Sequence, residues 1–331
     1  MILTPTILGF LTQIAAGVKG EREEREKRER REREEREREK SDMKREVYHG
    51  VGARLSEGRL VDQPDFDRVL EDFPSVSYDA VASIYSQYCV VRLKQAYGVH
   101  RRQEKLDEYC KRWRGGESLV EISEELDFPS CSLGRLLLPL LTACTSSGNG
   151  NQNTRLTATK VLNDPECLLF AEEEEDTRMG KKDMSFLKRL VIDLKACIAR
   201  DHISSPLISS VKRAVGLEYE ALLHRVLTSA GIAYESESQL RKKGATKTPD
   251  ALLKIPFMLG NHVVHWIDSK ACFCSDELYY NDGIRQFRQY VNRFGSGMVI
   301  YWFGYIEDIP FEESILVSDS FPKQITRLAV C

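Results

Sequence analysis

The sequence predicts an α/β domain, a mixed sheet flanked by helices, over residues 183–331, preceded by an all-α region of helix-turn-helix character over residues 46–145. Three observations carry this reading. Residues 251–258 and 263–267 are apolar runs rich in β-branched and aromatic side chains, too short for helices and separated by the turn dipeptide Gly260-Asn261. Upstream, Val211, Val215, Tyr219, Leu222, Val226 and Ala230 recur at helical spacing. Earlier still, Asp72-Phe-Pro-Ser-Val-Ser77 is echoed by Asp127-Phe-Pro-Ser-Cys-Ser132, each followed by an apolar helical stretch, which marks two related units.

At 331 residues the chain is long enough for two domains with cores of their own. A net charge of -3 excludes a globally basic nucleic-acid binder, so any such surface must be local. Nine cysteines, an odd number without a Cys-x-x-Cys pair, suit free thiols in a reducing compartment. The first 18 residues are apolar but lack a basic flank and fall short of the about 20 residues a bilayer demands, so no membrane role is predicted. Residues 21–40 set Glu against Arg and Lys without interruption, with i,i+4 pairs such as Glu21 with Arg25 and Glu32 with Arg36. Residues 1–45 therefore read as non-globular, a leader and then a solvated helix or tail.

Residues 48–144 carry helical periodicity. In the second unit Leu119, Ile122 and Leu126 precede a short turn, and Ser132 is the expected N-cap before Leu133, Leu136 and Leu137. That spacing is of the helix-turn-helix kind and would offer Arg135 to a groove of nucleic acid. A helical packing domain is the competing reading, because the second helix is mostly leucine. Residues 146–182 read as a linker around a short helix at 155–162.

Helices follow at 184–199 and 206–230, with Glu218 and Glu220 on opposite flanks of the second one's apolar stripe. Periodicity does not choose between those two acids. Residues 232–237 read as a first strand. Arg241, Lys242, Lys243 and Lys247 then place four positive charges just before Asp250, where a phosphate backbone would be drawn.

Asp250 and Asp268 border the two apolar runs, so an antiparallel pair brings them together at one end of a sheet. Two adjacent carboxylates repel unless a cation neutralises them, and all-oxygen ligation suits Mg²⁺ or Mn²⁺. Lys270, two residues along the strand, leaves the same face as Asp268 and can orient an attacking water or hold a phosphate oxygen. His262 and His265 lie three apart and point to opposite faces of a strand, so with Cys272 and Cys274 they do not predict a zinc site. Residues 282–294 form an amphipathic helix with Ile284, Phe287, Val291 and Phe294 inward and Gln286, Tyr290 and Arg293 on a second stripe. Residues 297–305 read as a buried strand and 315–317 as a short last one.

Thr248-Pro-Asp250, a spacer and Asp268-Ser-Lys270 resemble the PD-(D/E)xK nuclease superfamily. Lys247-Thr-Pro-Asp250, His265-Trp-Ile-Asp-Ser-Lys-Ala271, Tyr290-Val-Asn-Arg-Phe-Gly295 and Val299-Ile-Tyr-Trp-Phe-Gly304 resemble the vertebrate codanin-interacting nuclease family, in which Glu takes the place of Asp268. The resemblance implies a restriction-endonuclease-like core of helix, three strands, helix and strand. It implies a metal-dependent nuclease acting on nucleic acid, with DNA the expected substrate and Mg²⁺, or Mn²⁺ in its place, as cofactor. Asp250, Asp268 and Glu220 would ligate the metal with the Ser269 carbonyl, and Lys270 would be catalytic. Glu220 is preferred to Glu218 because Leu223, Val226, Leu227 and Gly231 follow it in the superfamily's register. Gln286 and Tyr290 match a Gln-x-x-x-Tyr pattern in which the Gln positions the site, and Tyr290 and Arg293 are assigned to nucleic-acid contact. Codanin is the implied partner, in nucleus and cytoplasm. The alternative is a catalytically silent nuclease fold that docks codanin or nucleic acid.

Overall fold

The computed structural model describes residues 42–142, 157–170 and 181–328. The expected leader and charged run, and most of the expected linker, lie outside them. The helical half comprises α1 (Arg45–Ser56), α2 (Phe66–Asp72), α3 (Tyr78–His100), α4 (Gln103–Arg114), α5 (Leu119–Leu126), α6 (Ser130–Thr142), α7 (Ala158–Asn163), α8 (Cys167–Phe170), α9 (Lys181–Arg200) and α10 (Pro206–Ser229). Side chains that accept from backbone N–H groups start several of them: Asp65, Ser77, Thr157, Ser205 and, in a reciprocal box with Glu121, Ser118. Among the described residues no helix is long and apolar enough to cross a membrane.

Where a helix-turn-helix is expected, the chain forms two consecutive helices, α5 and α6. Asp127 ends α5 in the left-handed region at φ 50°, a conformation usually left to glycine, and its carboxylate accepts from the Val61 N–H at 3.2 Å. However, α6 begins at Ser130, two residues before the expected cap. Its first turn is held by Asp201, which accepts from the Cys131 N–H at 2.9 Å, while Ser132 is buried with its hydroxyl 2.8 Å from that of Ser204. Cys131, Leu133, Leu137, Leu138 and Leu141 are all buried against α4, α5 and α9. Arg135 is correspondingly corrected: half-buried, it donates to the Ser204 carbonyl at 2.7 Å instead of facing a groove. A helix so rich in leucine lowers its free energy by turning inward.

After α10 come β1 (Tyr234–Ser236), α11 (Glu237–Lys242), β2 (Ala251–Leu259), β3 (His262–Lys270), α12 (Asp276–Leu278), α13 (Ile284–Phe294), β4 (Gly297–Tyr301), β5 (Ile315–Ser318) and β6 (Thr326–Arg327). The sheet runs β1-β2-β3-β4-β5, with β6 beside the far end of β2. β1 and β3 both run antiparallel to β2, and β3, β4 and β5 are parallel, which gives the predicted mixed sheet. β2 and β3 meet in a two-residue hairpin whose first position, Gly260, takes φ 58°. Their register shifts between Leu252 and Phe257, around Pro256, which has no N–H to give the ladder.

Two elements depart from expectation. The first strand is only Tyr234–Ser236, because Ser236 and Gln239 form a capping box that starts α11. β4 stops at Tyr301, where the chain turns toward Gly304 at φ 93°.

One face of the sheet is covered by α10, whose Leu223 and Leu227 pack with Ala251, Phe257, Ile267 and Met298. The other joins Trp266, Val299 and Tyr301 to Phe287 and Tyr290 of α13 and to Val51, Val81 and Ile84 of α1 and α3 in one cluster. Gly297 permits this packing: a Cβ there would lie 2.1 Å from the fully buried Trp266 ring.

Candidate active site

The antiparallel register pairs Ala251 with Ile267, so one further step along it sets Asp250 opposite Asp268. Asp250 Oδ2 accepts from the Ser269 N–H at 2.7 Å, which ties one carboxylate to the strand bearing the other. Asp268 is 1% exposed, and the group that meets its buried Oδ2 is the Lys270 ammonium, 2.6 Å away in a salt bridge. Lys270 Nζ also donates to Gln286 Oε1 at 3.3 Å. A carboxylate removed from water and balanced by a single ammonium beside a second carboxylate is costly to keep and open to a further cation.

The electrostatics follow from burial. Desolvation first, and then the charge of Asp268, push the Asp250 carboxyl well above the usual carboxylate range, against the opposing pull of the Ser269 N–H and Lys270. Glu220 is raised too, by burial and then by Glu237 and Asp268. Burial alone would lower Lys270, but Asp268 and Asp250 outweigh it and hold the ammonium above the ordinary lysine range. Such a site draws in positive charge.

Glu220 and His224, one turn apart on α10, share the wall of a cleft with Asp250. Glu218, the other acid, is exposed. Among the described residues no three His, Cys, Asp or Glu side chains form a ready-made metal cage. Mg²⁺ does not need one, since it is held through one or two carboxylates, waters and substrate phosphates. The all-oxygen donor set of Asp250 and Asp268 fits that requirement.

Gln286 lies beside Lys270 and donates through Nε2 to the Tyr290 hydroxyl at 2.6 Å. Tyr290 is 3% exposed and its hydroxyl donates to the Thr248 carbonyl at 3.0 Å. The nucleic-acid contact assigned to Tyr290 from its helical stripe is thereby corrected: the residue offers no surface, because that stripe faces Trp266 across 5.2 Å between ring centres. Its hydroxyl instead pins the Thr248-Pro249-Asp250 segment.

Arg241, Lys242, Lys243 and Lys247 are exposed on α11 and the following segment, and the exposed Arg293 reaches the Thr246 carbonyl from α13. Arg241 pairs with Glu237 at 2.7 Å, and Lys243 pairs with Glu235. Arg135 belongs to α6, among the buried residues of the helical half.

Sequence reasoning missed two groups. His224 Nε2 donates to the Asp250 carbonyl at 3.2 Å, and its i+4 spacing from Glu220 was the signal available. Trp302 Nε1 donates to Ser269 Oγ at 2.8 Å, and nothing in the local sequence announces that contact.

A family described as a protein of unknown function with a TPD sequence motif matches residues 187–321, a stretch that includes Thr248-Pro249-Asp250. The chain is 32% identical to CDAN1-interacting nuclease 1 of Xenopus laevis over 276 residues, covering 80% of this chain and 84% of that one. It is 30% identical to the Homo sapiens protein of that name over 282 residues, 79% and 89% of the two chains. The Danio rerio protein of that name is 31% identical over 265 residues, 77% and 82%. No solved structure matches the chain.

Proposed function

The chain belongs to the CDAN1-interacting nuclease 1 family, and from that premise we propose that it is a metal-dependent nuclease that hydrolyses phosphodiester bonds in nucleic acid, DNA in particular. Asp250, Asp268 and Glu220 hold Mg²⁺, or Mn²⁺ in its place, with the Ser269 carbonyl as a further ligand. The observation that carries this reading is the fully buried Asp268 carboxylate, set opposite a second carboxylate, Asp250, with the Lys270 ammonium 2.6 Å away. When bound, the ion supplies neutralisation of the charge that develops on the phosphate and activation of the attacking water.

The remaining work falls to the chain's own groups. Lys270 keeps its proton beside Asp268 and orients water or a phosphate oxygen for in-line attack. Gln286 holds Lys270, and Tyr290 and His224 fix the backbone on either side of the Asp250 carboxylate. Arg241, Lys242, Lys243, Lys247 and Arg293 hold the phosphate backbone. The relatives' name specifies CDAN1, so codanin is the proposed partner, and nucleus and cytoplasm the proposed locations.

A second reading, a silent nuclease fold that docks codanin or nucleic acid, draws support from the Asp268–Lys270 ion pair, which balances the site without a metal. End-labelled branched, single-stranded and duplex DNA and RNA, with and without Mg²⁺ or Mn²⁺, separate the two. Metal-dependent cleavage that is lost in Asp250→Asn is the expected result. Binding without cleavage on every substrate and in both metals would establish the docking role instead.

A further inference from the structure

The cleft that Glu220, His224 and Asp250 border has a volume of about 470 Å³. That is the size of a small-molecule site and far too small for a duplex. Its remaining wall consists of Tyr234 from β1 and Ser236, Glu237, Ser238 and Gln239 from the start of α11. Tyr234 and His224 are stacked there, with ring centres 5.1 Å apart and planes 20° from parallel.

The lining sorts its possible occupants by charge. Glu220 and Asp250 give the metal-free cleft unpaired negative charge that repels phosphate, while Glu237 is paired with Arg241 at 2.7 Å. None of Arg241, Lys242, Lys243, Lys247 or Arg293 lines it; they lie beyond it, on the second half of α11, the segment after it and α13. Two aromatic rings, hydroxyls, an amide and carboxylates are the groups that hold a nucleobase, by stacking and by hydrogen bonds to its edge. A paired base in a continuous duplex has its edge and faces occupied and cannot enter a side cleft.

We infer that this cleft receives the base of an unpaired nucleotide adjoining the scissile phosphate, so that the substrate is a single strand or the unpaired stretch of a branched or gapped duplex. The inference rests on the nuclease reading of the neighbouring acids and adds the substrate class to it. The phosphate backbone then crosses the basic surface while the base turns into the cleft.

The full-length protein is titrated, with the metal chelated, against one fluorescent sequence presented as a single strand, as a gapped duplex and as a continuous duplex. Single-stranded and gapped forms are expected to bind about tenfold or more tighter than the duplex, the scale of one stacked base. Ser238→Trp, which fills the cleft from an exposed position, and Tyr234→Leu, which removes a ring, are expected to bring single-strand affinity down to that for duplex. Duplex affinity should stay unchanged in both, with circular dichroism reporting the fold. Equal binding of all three forms by the wild type overturns the inference, as does a preference that survives both folded variants. Selective binding without cleavage in Mg²⁺ would sink the hydrolytic reading and leave this one standing. Metal-dependent cleavage of continuous duplex without strand preference would do the reverse.

Discussion

Lys270 Nζ lies 2.6 Å from Asp268 Oδ2, with the carboxylate side chain 2% exposed and the lysine 27% exposed. They sit two residues apart on β3, so strand geometry alone puts them on one face. Burial makes the consequence large, because the lysine is the charge that balances a carboxylate removed from water.

Removing that balance should cost stability. Lys270→Met is expected to lose about 3 kcal/mol in urea unfolding, the scale of a buried pair broken from one side. Saturating Mg²⁺ should restore more stability to the variant than it adds to the wild type, because the ion takes over the lysine's electrostatic role. Equal stabilisation of the two proteins would place the ion elsewhere.

The pH dependence has a definite sign. Asp250 and Glu220 have raised folded-state pKa values, so above the ordinary carboxylate range the folded protein binds more protons than the unfolded chain. Stability of the metal-free protein should therefore be greatest at low pH within its folded range and fall as pH rises through the folded values. Asp250→Asn should flatten that slope in urea titrations at a series of pH values. Mg²⁺ affinity, measured calorimetrically, should rise with pH over the same window, because binding expels the proton.

Tyr290→Phe deletes one oxygen and leaves the Thr248 carbonyl and the Gln286 amide without their partner. A stability loss of about 1–3 kcal/mol is expected for a buried group left unpaired. Cleavage should slow through kcat, with KM little changed, because Tyr290 is buried and acts through Thr248 and Gln286. A KM-only effect in steady-state kinetics would contradict the positioning role.

Charge reversal on the basic surface should act through phosphate contacts. Lys247→Glu and Arg293→Glu are each expected to weaken nucleic-acid binding at 50 mM salt, an assay condition in the range roughly 50–200 mM where such contacts are resolved. Each lost contact should reduce the slope of log K against log salt by about 0.7 for a single strand. Arg135→Glu, at a residue engaged with Ser204, should leave the slope unchanged. Filter binding across a salt series measures all three.

Much of the α/β half is legible in the chain because its signals are local. Gly260-Asn261 between two β-rich runs specifies a hairpin, but the turn's own register would pair Asp250 with Ala271, and it is the shift between Leu252 and Phe257 that sets Asp250 opposite Asp268. The inward stripe of α13 is likewise readable, and Ile284 and Phe287 are buried as their spacing requires. The helical half is less legible. The two units are visible as a repeat, yet the burial of α6 depends on α9, some 50 residues later, and on Asp201, which no local pattern connects to Cys131.

By itself the sequence determined the order of helices and strands in the α/β half, the β2–β3 hairpin and the shared face of Asp268 and Lys270, because spacing of 2 and 3.6 residues and turn chemistry act over a few residues. Tertiary structure alone decided that β3, β4 and β5 pair in parallel, that Tyr290 is buried against Thr248, that Arg135 is turned to Ser204, and that His224 and Tyr234 line one cleft with Glu220 and Asp250. Those outcomes depend on which face or edge of each element meets which neighbour. Burial of apolar area summed over the whole chain fixes that choice, and no stretch of the sequence contains it.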